Sequence, residues 1–308
     1  MTTLSIVSTL YNSQKYIEDF YQRSLLVSED VFHDIEFILV NDGSPDKSIN
    51  VATSLSEKDF RVNVINLSRN FGHHKAMMTG LKYAQGDLIW LIDIDLEEQP
   101  EWLTEFREVL NNENVDCVYG VQSSRKGNAF EKITGSLFYS LINMLIGMEF
   151  PRNIVTARLM TSRYKESLCK FTESHPVLNY LTLLTGYDQK AIEVEKLSTS
   201  PTSYTLSKKI HAFVDSITSS TSAPLVGMFY LGIIIFILSL FLSIALAINI
   251  LVLLNPVPGW ASIIISIWLS TGLLISSLGL IGIYVSRIFI ETKRRPYSIV
   301  KEIYGKSK

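Results

Sequence analysis

Asp93-Ile94-Asp95 follows the apolar run Leu88-Ile89-Trp90-Leu91-Ile92, which puts two carboxylates where a buried strand leaves a sheet. Side chains two apart on a strand share a face, so the pair is expected to stand on one side. Hard divalent cations that grip phosphates take a few oxygen ligands and keep other positions open for substrate. The outline is therefore that of a metal-diphosphate site, with a nucleotide-sugar as the natural third party. Asp-x-Asp alone arises by chance in many chains, and its surroundings give it weight. Glu97 and Glu98 follow closely; they could add a ligand to the pair, or simply cap the next helix, where acidic groups suit the positive end.

Two further clusters lie on the same side of the pattern. Asn41-Asp42-Gly43-Ser44 ends the second strand-like run; glycine permits a tight turn there, and Asp42 could accept a hydrogen bond from a base NH. The same tetrapeptide would also serve as an ordinary turn with a helix cap. Arg69-Asn70-Phe71-Gly72-His73-His74-Lys75 follows the third run and offers a cation, an amide and a close backbone approach to phosphate or ribose. His73 and His74 are adjacent, so on a helix they diverge and do not make a two-histidine metal site. The sequence has no Gly-x-Gly-x-x-Gly, Walker lysine loop, His-Glu-x-x-His or Gly-x-Ser-x-Gly, which removes support for dehydrogenase, ATPase, zinc protease and serine hydrolase chemistry.

The elements that must hold these residues are legible as a rhythm. Leu4 to Thr9, Ile35 to Asn41, Val62 to Leu67, Leu88 to Asp93 and Cys117 to Val121 read as strands, with helical stretches between. Such alternation predicts a mostly parallel sheet covered on both faces. Ser44-Pro45 and Gln99-Pro100-Glu101 read as helix starts. The loops at strand C-termini then carry Tyr11-Asn12, Asp42-Gly43-Ser44 and Asp93 to Glu98, and that edge is where open α/β sheets bind ligands. Ile133, Leu137, Phe138, Leu141, Ile142, Leu145 and Met148 recur at helical spacing, a stripe suited to a protein core or to the membrane interface. Leu197 to Ser207 reads as a loop, and Lys208 to Ser222 as a short amphipathic helix.

The 308 residues carry 28 Lys and Arg against 30 Asp and Glu, a near balance that argues against nucleic acid as a partner. Charge is nevertheless uneven: between Asp215 and Arg287 there is no Asp, Glu, Lys or Arg. A bilayer core needs about 20 apolar residues per helix, and the stretch divides into Leu225 to Leu254 and Trp260 to Ile290 around Asn255-Pro256-Val257-Pro258-Gly259. Two transmembrane helices in a hairpin are expected. Lys208 and Lys209 precede them and Arg287, Lys293, Arg294 and Arg295 follow, so the positive-inside rule puts both chain ends in the cytoplasm. Gly272 and Ser276 could let the two helices pack closely. Met1 to Thr9 does not read as a signal peptide, and Cys117 and Cys169, far apart and without ligand-spaced partners, suit a reducing compartment and no structural zinc. The expected division is a catalytic core over 1–130, an acceptor-side region with interface helices over 131–224, the membrane hairpin over 225–290 and a basic tail over 291–308.

Taken together these residues resemble the family 2 glycosyltransferases that load a sugar onto a polyprenyl phosphate, the dolichyl-phosphate mannose synthase and bactoprenol glucosyltransferase kind. Tyr11-Asn12, Asn41 to Ser44, Leu67 to His73, Asp93 to Leu96, Arg158-Leu159-Met160, Ile217-Thr218-Ser219, Ala223-Pro224-Leu225 and Lys293 to Pro296 fall in the family's order across nearly the whole chain. The resemblance implies an α/β GT-A (Rossmann-like) cytosolic domain, a UDP-hexose donor, polyprenyl (undecaprenyl) phosphate as acceptor, and a bacterial inner-membrane location; family likeness also admits a homo-oligomer. It puts Tyr11 and Asp42 near the uracil, Asp93 near the ribose, Asp95 on Mg2+ or Mn2+, and Glu97 where the family has a glutamine near the metal. Gly43, Ser44, Arg69, Asn70 and Gly72 fall on the donor side, and Arg158, Arg125, Tyr204 and Lys208 on the acceptor phosphate. Three positions depart from the pattern: Ser13 replaces an acidic residue, Thr156-Ala157 replaces Asp-Phe before Arg158, and Leu197 to Tyr204 keeps the family loop's tyrosine without its Arg and Lys. Two alternatives stay open, a membrane-anchored transferase acting on a saccharide and a non-catalytic scaffold with a decayed sugar site.

Overall fold

The computed structural model describes residues 2–122, 153–174, 176–197, 222–253 and 259–305. They fall into two compact units. The first contains β1 (Thr3–Leu10), α1 (Ile17–Glu29), β2 (Asp34–Asn41), α2 (Ser48–Lys58), β3 (Val62–Leu67), α3 (His73–Tyr83), β4 (Leu88–Leu91), α4 (Trp102–Glu113), β5 (Cys117–Gln122), β6 (Ile154–Thr161), α5 (Ser162–Leu168), α6 (Leu178–Leu184), β7 (Gln189–Val194) and, near the C-terminus, β8 (Val300–Tyr304).

The eight strands form one sheet in the order β7-β5-β6-β4-β1-β2-β3-β8. Its centre, β4-β1-β2-β3, is parallel, as the strand and helix rhythm predicts. The sheet is mixed but mostly parallel, as expected: β5 and β7 run with the central strands, while β6 runs antiparallel between β4 and β5 and β8 runs antiparallel along β3. The expected basic tail thus contains a strand, which covers an edge that would otherwise present unpaired backbone groups.

A sheet covered on both faces reads as nearly continuous apolar strands, and successive residues divide between two cores. Leu4, Ile6, Phe37, Leu39 and Trp90 pack under α1, α2 and α4, with Phe20 and Phe106; Val7, Ile38, Val40, Ile89 and Leu91 pack under α3, with Met77, Met78 and Leu81. Leu103, Phe106 and Leu110 recur at helical spacing on the buried face of α4, and Phe106 meets Trp90 edge-on at 4.9 Å. Cys117 and Cys169 are both free. Burial pushes the Cys117 thiol up to about 12, which suits an inert filler.

The second unit contains α7 (Ala223–Leu253) and α8 (Trp260–Thr292), at the positions where the apolar run divides. Among the described residues one stretch, Ser266–Thr292, is long and apolar enough to cross a membrane. The Ser276 hydroxyl donates back to the Gly272 carbonyl at 2.9 Å. Among the described residues nothing outside its own helix lies within 4 Å of where a Gly272 Cβ would stand. The 133–148 stripe, most of the 208–222 helix and the turn over 254–258 lie outside the described residues.

Candidate active site

Two constellations meet at the C-terminal edge of the parallel strands. The first is built from backbone clasps. Asp42, buried at the end of β2, accepts hydrogen bonds from the Phe71 and Gly72 amides at 2.7 and 2.9 Å, so its carboxylate shapes the loop that follows β3. Gly72 has φ +104 and Gly43 has φ +61, both in the left-handed region that disfavours side chains. At Gly43 space is short as well: a Cβ there would stand 2.4 Å from the Asn70 amide nitrogen. Arg69 and Asn70 are exposed on this loop, with the Arg69 guanidinium 4.2 Å from the centre of the Phe71 ring.

The loop after β1 is tied down in the same manner. Its Asn12 and Ser13 amides donate to the Ser44 and Ser48 hydroxyls at 2.8 and 3.0 Å, and the Gln14 amide donates to Asp46 at 3.1 Å. Asp46 also accepts from the Ser48 amide at 3.1 Å, at the first residue of α2, which begins later than Ser44-Pro45 suggests. Burial works against the charge of Asp46, but the hydroxyls of Ser44 and Ser48 and the two amides outweigh it and hold the carboxyl down at about 2. Tyr11 is left half exposed at the rim. Ser44 therefore spends its hydroxyl on the loop itself.

The second constellation is held by charge. β4 ends at Leu91; the Ile92 amide still donates to the Val7 carbonyl at 3.1 Å and the Ser8 hydroxyl donates to the Ile92 carbonyl at 2.7 Å, after which the chain turns away. Asp93 and Asp95 consequently stand on a turn, and strand alternation is not what brings them together. Leu96 at φ +59 folds the turn back and lets the Glu97 amide donate to Asp95 at 3.0 Å. Asp93 accepts from the Thr156 hydroxyl at 2.9 Å and lies 3.2 Å from His73 Nε2; His73 Nδ1 in turn is 3.0 Å from the Thr9 hydroxyl. His73 directly follows Gly72, so one short segment joins the Asp42 clasp to the acidic turn.

Two residues complete this constellation: Glu98, which the sequence offers as a ligand or a helix cap, and Lys196, which it does not single out. Glu98 is fully buried and accepts from the Thr156 amide at 2.9 Å and, more weakly, from the Asp93 amide at 3.4 Å, so it pins the end of β4 to the start of β6. Lys196, just beyond β7, brings its ammonium to 3.4 Å from Glu98, 3.6 Å from Glu97 and 4.0 Å from Asp93. The charges sort accordingly. Burial would raise Asp93, but the hydrogen bond and charge of His73, with Lys196, hold it below the usual carboxylate range. Asp95 has less help: burial and the Asp93 charge lift it. The same two causes raise Glu98 to about 7. His73 is raised because Asp93 outweighs what burial the ring has.

Arg158, on β6, is buried at 2% exposure, with its guanidinium donating to the Thr156 carbonyl at 3.1 Å and to Asn179 at 2.7 Å. Together with Lys196, Glu98, His74, Gln122 and Asn179 it lines a cavity of about 160 Å3 beside the acidic turn. Arg125, Tyr204 and Lys208, expected on the acceptor side, lie outside the described residues, as does most of the 197–204 loop. Among the described residues no three His, Cys, Asp or Glu side chains converge as a ready metal-ligand set. Little in the local sequence announces Lys196 or Asn179; the first reaches the turn and the second reaches Arg158 from distant parts of the chain.

Comparison with known proteins shows the family. Residues 5–193 match the family described as Glycosyl transferase family 2. The chain is 43% identical over 302 residues to "Putative glycosyltransferases" of Mycobacterium tuberculosis, covering 98% of this chain and 88% of that protein. It is 35% identical over 306 residues to the uncharacterized glycosyltransferase YkcC of Bacillus subtilis, covering 98% and 94%. To the bactoprenol glucosyl transferase of Shigella phage SfV it is 27% identical over 301 residues, covering 97% and 98%. The mixed α/β sheet is GT-A-like, and the chain belongs to glycosyl transferase family 2.

Proposed function

We propose that the chain moves a hexose from a nucleotide-sugar, UDP-hexose by resemblance, to a polyprenyl phosphate at the bacterial inner membrane in a single inverting displacement. The observation that carries this reading is the acidic turn Asp93 to Glu98, joined through His73 to the Asp42 clasp on one side and bordered by the Arg158 cavity on the other. A nucleotide lying along the Asp42 and Tyr11 rim would bring its diphosphate to that turn. The bactoprenol glucosyl transferase relative, aligned over nearly its whole length, supports a lipid phosphate as the acceptor.

Mg2+ or Mn2+ suits the residues present. Asp95 is a partly buried carboxylate lifted by its neighbour's charge, which a cation would relieve. A small hard ion needs only one or two carboxylates when substrate phosphates complete its shell, so Asp95 and Asp93 suffice, with Glu97 close by. When bound, the ion supplies a Lewis acid for the departing diphosphate. Arg158 and Lys196 supply positive charge in the cavity beside it. A phosphate monoester has its second pKa at about 6 and is largely anionic at neutral pH, so it attacks without a strong general base. Thr156 in place of an aspartate therefore does not obstruct the reaction, and its hydroxyl orients Asp93 instead.

α7 and α8 would hold the catalytic unit at the bilayer, with Lys208, Lys209, Arg287 and Lys293 to Arg295 keeping both chain ends cytoplasmic. The test is a panel of nucleotide-sugars offered with undecaprenyl phosphate to membranes containing the full chain, read by mass spectrometry of the lipid fraction. A lipid-linked monosaccharide is expected, abolished by chelator and reduced about 10²–10³-fold by Asp95→Asn. No prenyl-phosphate product from any donor, or labelled glycan without a monosaccharide lipid, overturns the proposal.

A further inference from the structure

Lys196 does not sit on one carboxylate; it sits among several. Its ammonium is within 3.4 to 4.0 Å of Glu98, Glu97 and Asp93, the position of a counter-ion shared between them. A lysine ammonium is a compact point charge suited to that place. Two anchors hold it there. β7 ends two residues earlier, paired with β5 as far as Val194, and the Leu197 amide donates to the Glu97 carbonyl at 2.9 Å, stitching this segment to the acidic turn. The surroundings demand a positive charge: Glu98 is fully buried, and four acidic residues stand within six positions, Asp93, Asp95, Glu97 and Glu98. His73 pairs directly with Asp93. Burial alone would make Lys196 easier to deprotonate, yet the four acids keep it charged.

We propose that Lys196 is the resident counter-cation of the acidic turn, and that a divalent cation enters only in competition with it. The inference rests on the reading of Asp93 and Asp95 as the cation site. Both cations draw on the same carboxylate charge, so each weakens the other, and the weakening is reciprocal. A diphosphate relieves the conflict by giving the ammonium a new anionic partner, which couples cation binding to the presence of the donor.

The test uses Mn2+ alone on the full-length chain in detergent, with free Mn2+ counted by electron paramagnetic resonance and UDP as the second probe. Lys196→Met and Lys196→Gln should each bind Mn2+ about tenfold more tightly than the unaltered chain when UDP is absent, the effect of one charge a few ångströms away. Lys196→Arg should behave like the unaltered chain. UDP should tighten Mn2+ binding in the unaltered chain more than in either neutral variant. Both neutral variants should melt earlier in chelator and recover with Mn2+. Equal or weaker Mn2+ binding by the neutral variants, no binding by any form, or a folding defect that Mn2+ leaves unrepaired in both would each overturn the proposal. No sugar or lipid takes part, so a failure here leaves glycosyl transfer standing, and a failure of transfer does not decide this result.

Discussion

The loops around Asp42 and Asp46 and the acidic turn are neighbours on one sheet edge, yet they are held by different means. Around Asp42 and Asp46 carboxylates accept backbone amides, and glycines with positive φ let the loops approach. Around Asp93 almost every contact joins one ionisable or polar side chain to another from a distant element: Thr156, His73 and Lys196. The first arrangement fixes a shape and needs no ligand to be satisfied. The second concentrates like charges and keeps them in place with counter-charges, which makes it responsive to whatever cation or anion arrives. A rigid cradle beside an adjustable charge cluster is a sensible division for the proposed transfer, which needs a nucleoside held while a diphosphate leaves.

Glu98 is where the two means overlap, and breaking it should have the largest effect. Glu98→Ala removes the acceptor of the Thr156 and Asp93 amides and the nearest of three carboxylate partners of Lys196, leaving two amides without their acceptor; a stability loss of about 3–5 kcal/mol is expected, read as a shift of the urea midpoint in detergent. Glu98→Gln, which keeps an acceptor oxygen, should recover much of it. If the alanine variant unfolds at the original midpoint, the turn is not held as argued.

The cradle should break through backbone geometry instead. Gly43→Ala puts a methyl group 2.4 Å from the Asn70 nitrogen at φ +61, and roughly 2–3 kcal/mol of destabilisation is expected, with weaker UDP binding because the Arg69 to Gly72 loop must move. Asp42→Asn keeps the shape but loses a charged acceptor for one of two amides, a change of about 1.5 kcal/mol. Calorimetry of UDP binding separates the two regions. Both substitutions should weaken UDP with chelator present, whereas Asp95→Asn should weaken it only when Mn2+ is supplied.

The same contrast explains what the sequence discloses. β1 to β5 were legible because buried parallel strands are continuous apolar runs bounded by turns, and the cradle because its residues are local: Asp42, Gly43 and Ser44 are consecutive, and Gly72 opens a helix. β6, β7 and β8 were not, since Arg158 interrupts one, polar residues alternate through Gln189–Val194, and the last is a short charged edge strand in a basic tail. The acidic turn was half legible. Asp93 and Asp95 stand together in the chain, but Thr156 bonds to Asp93 from 63 residues away, and no local pattern carries that distance. Burial decided the remaining choice: the sequence offered Glu97 and Glu98 alike, while the fold makes Glu98 the buried one.

Asp46 offers the smallest effect and the cleanest sign. Its folded-state carboxyl is depressed from 3.8 to about 2, so the charged form is favoured by folding. The resulting stability is present in full above the unfolded value near 3.8 and disappears as pH falls through about 2. The group is partly open to solvent, so screening leaves about 1 kcal/mol of it. Urea midpoints between pH 6 and pH 2, approximate limits that bracket the ordinary aspartate range, should show the unaltered chain losing this increment on acidification. Asp46→Asn, which cannot titrate, should start lower and fall less. Parallel curves for the two proteins would mean that Ser44, Ser48 and Gln14 hold the cradle without the charge, and that the two regions differ less in their electrostatics than their geometry implies.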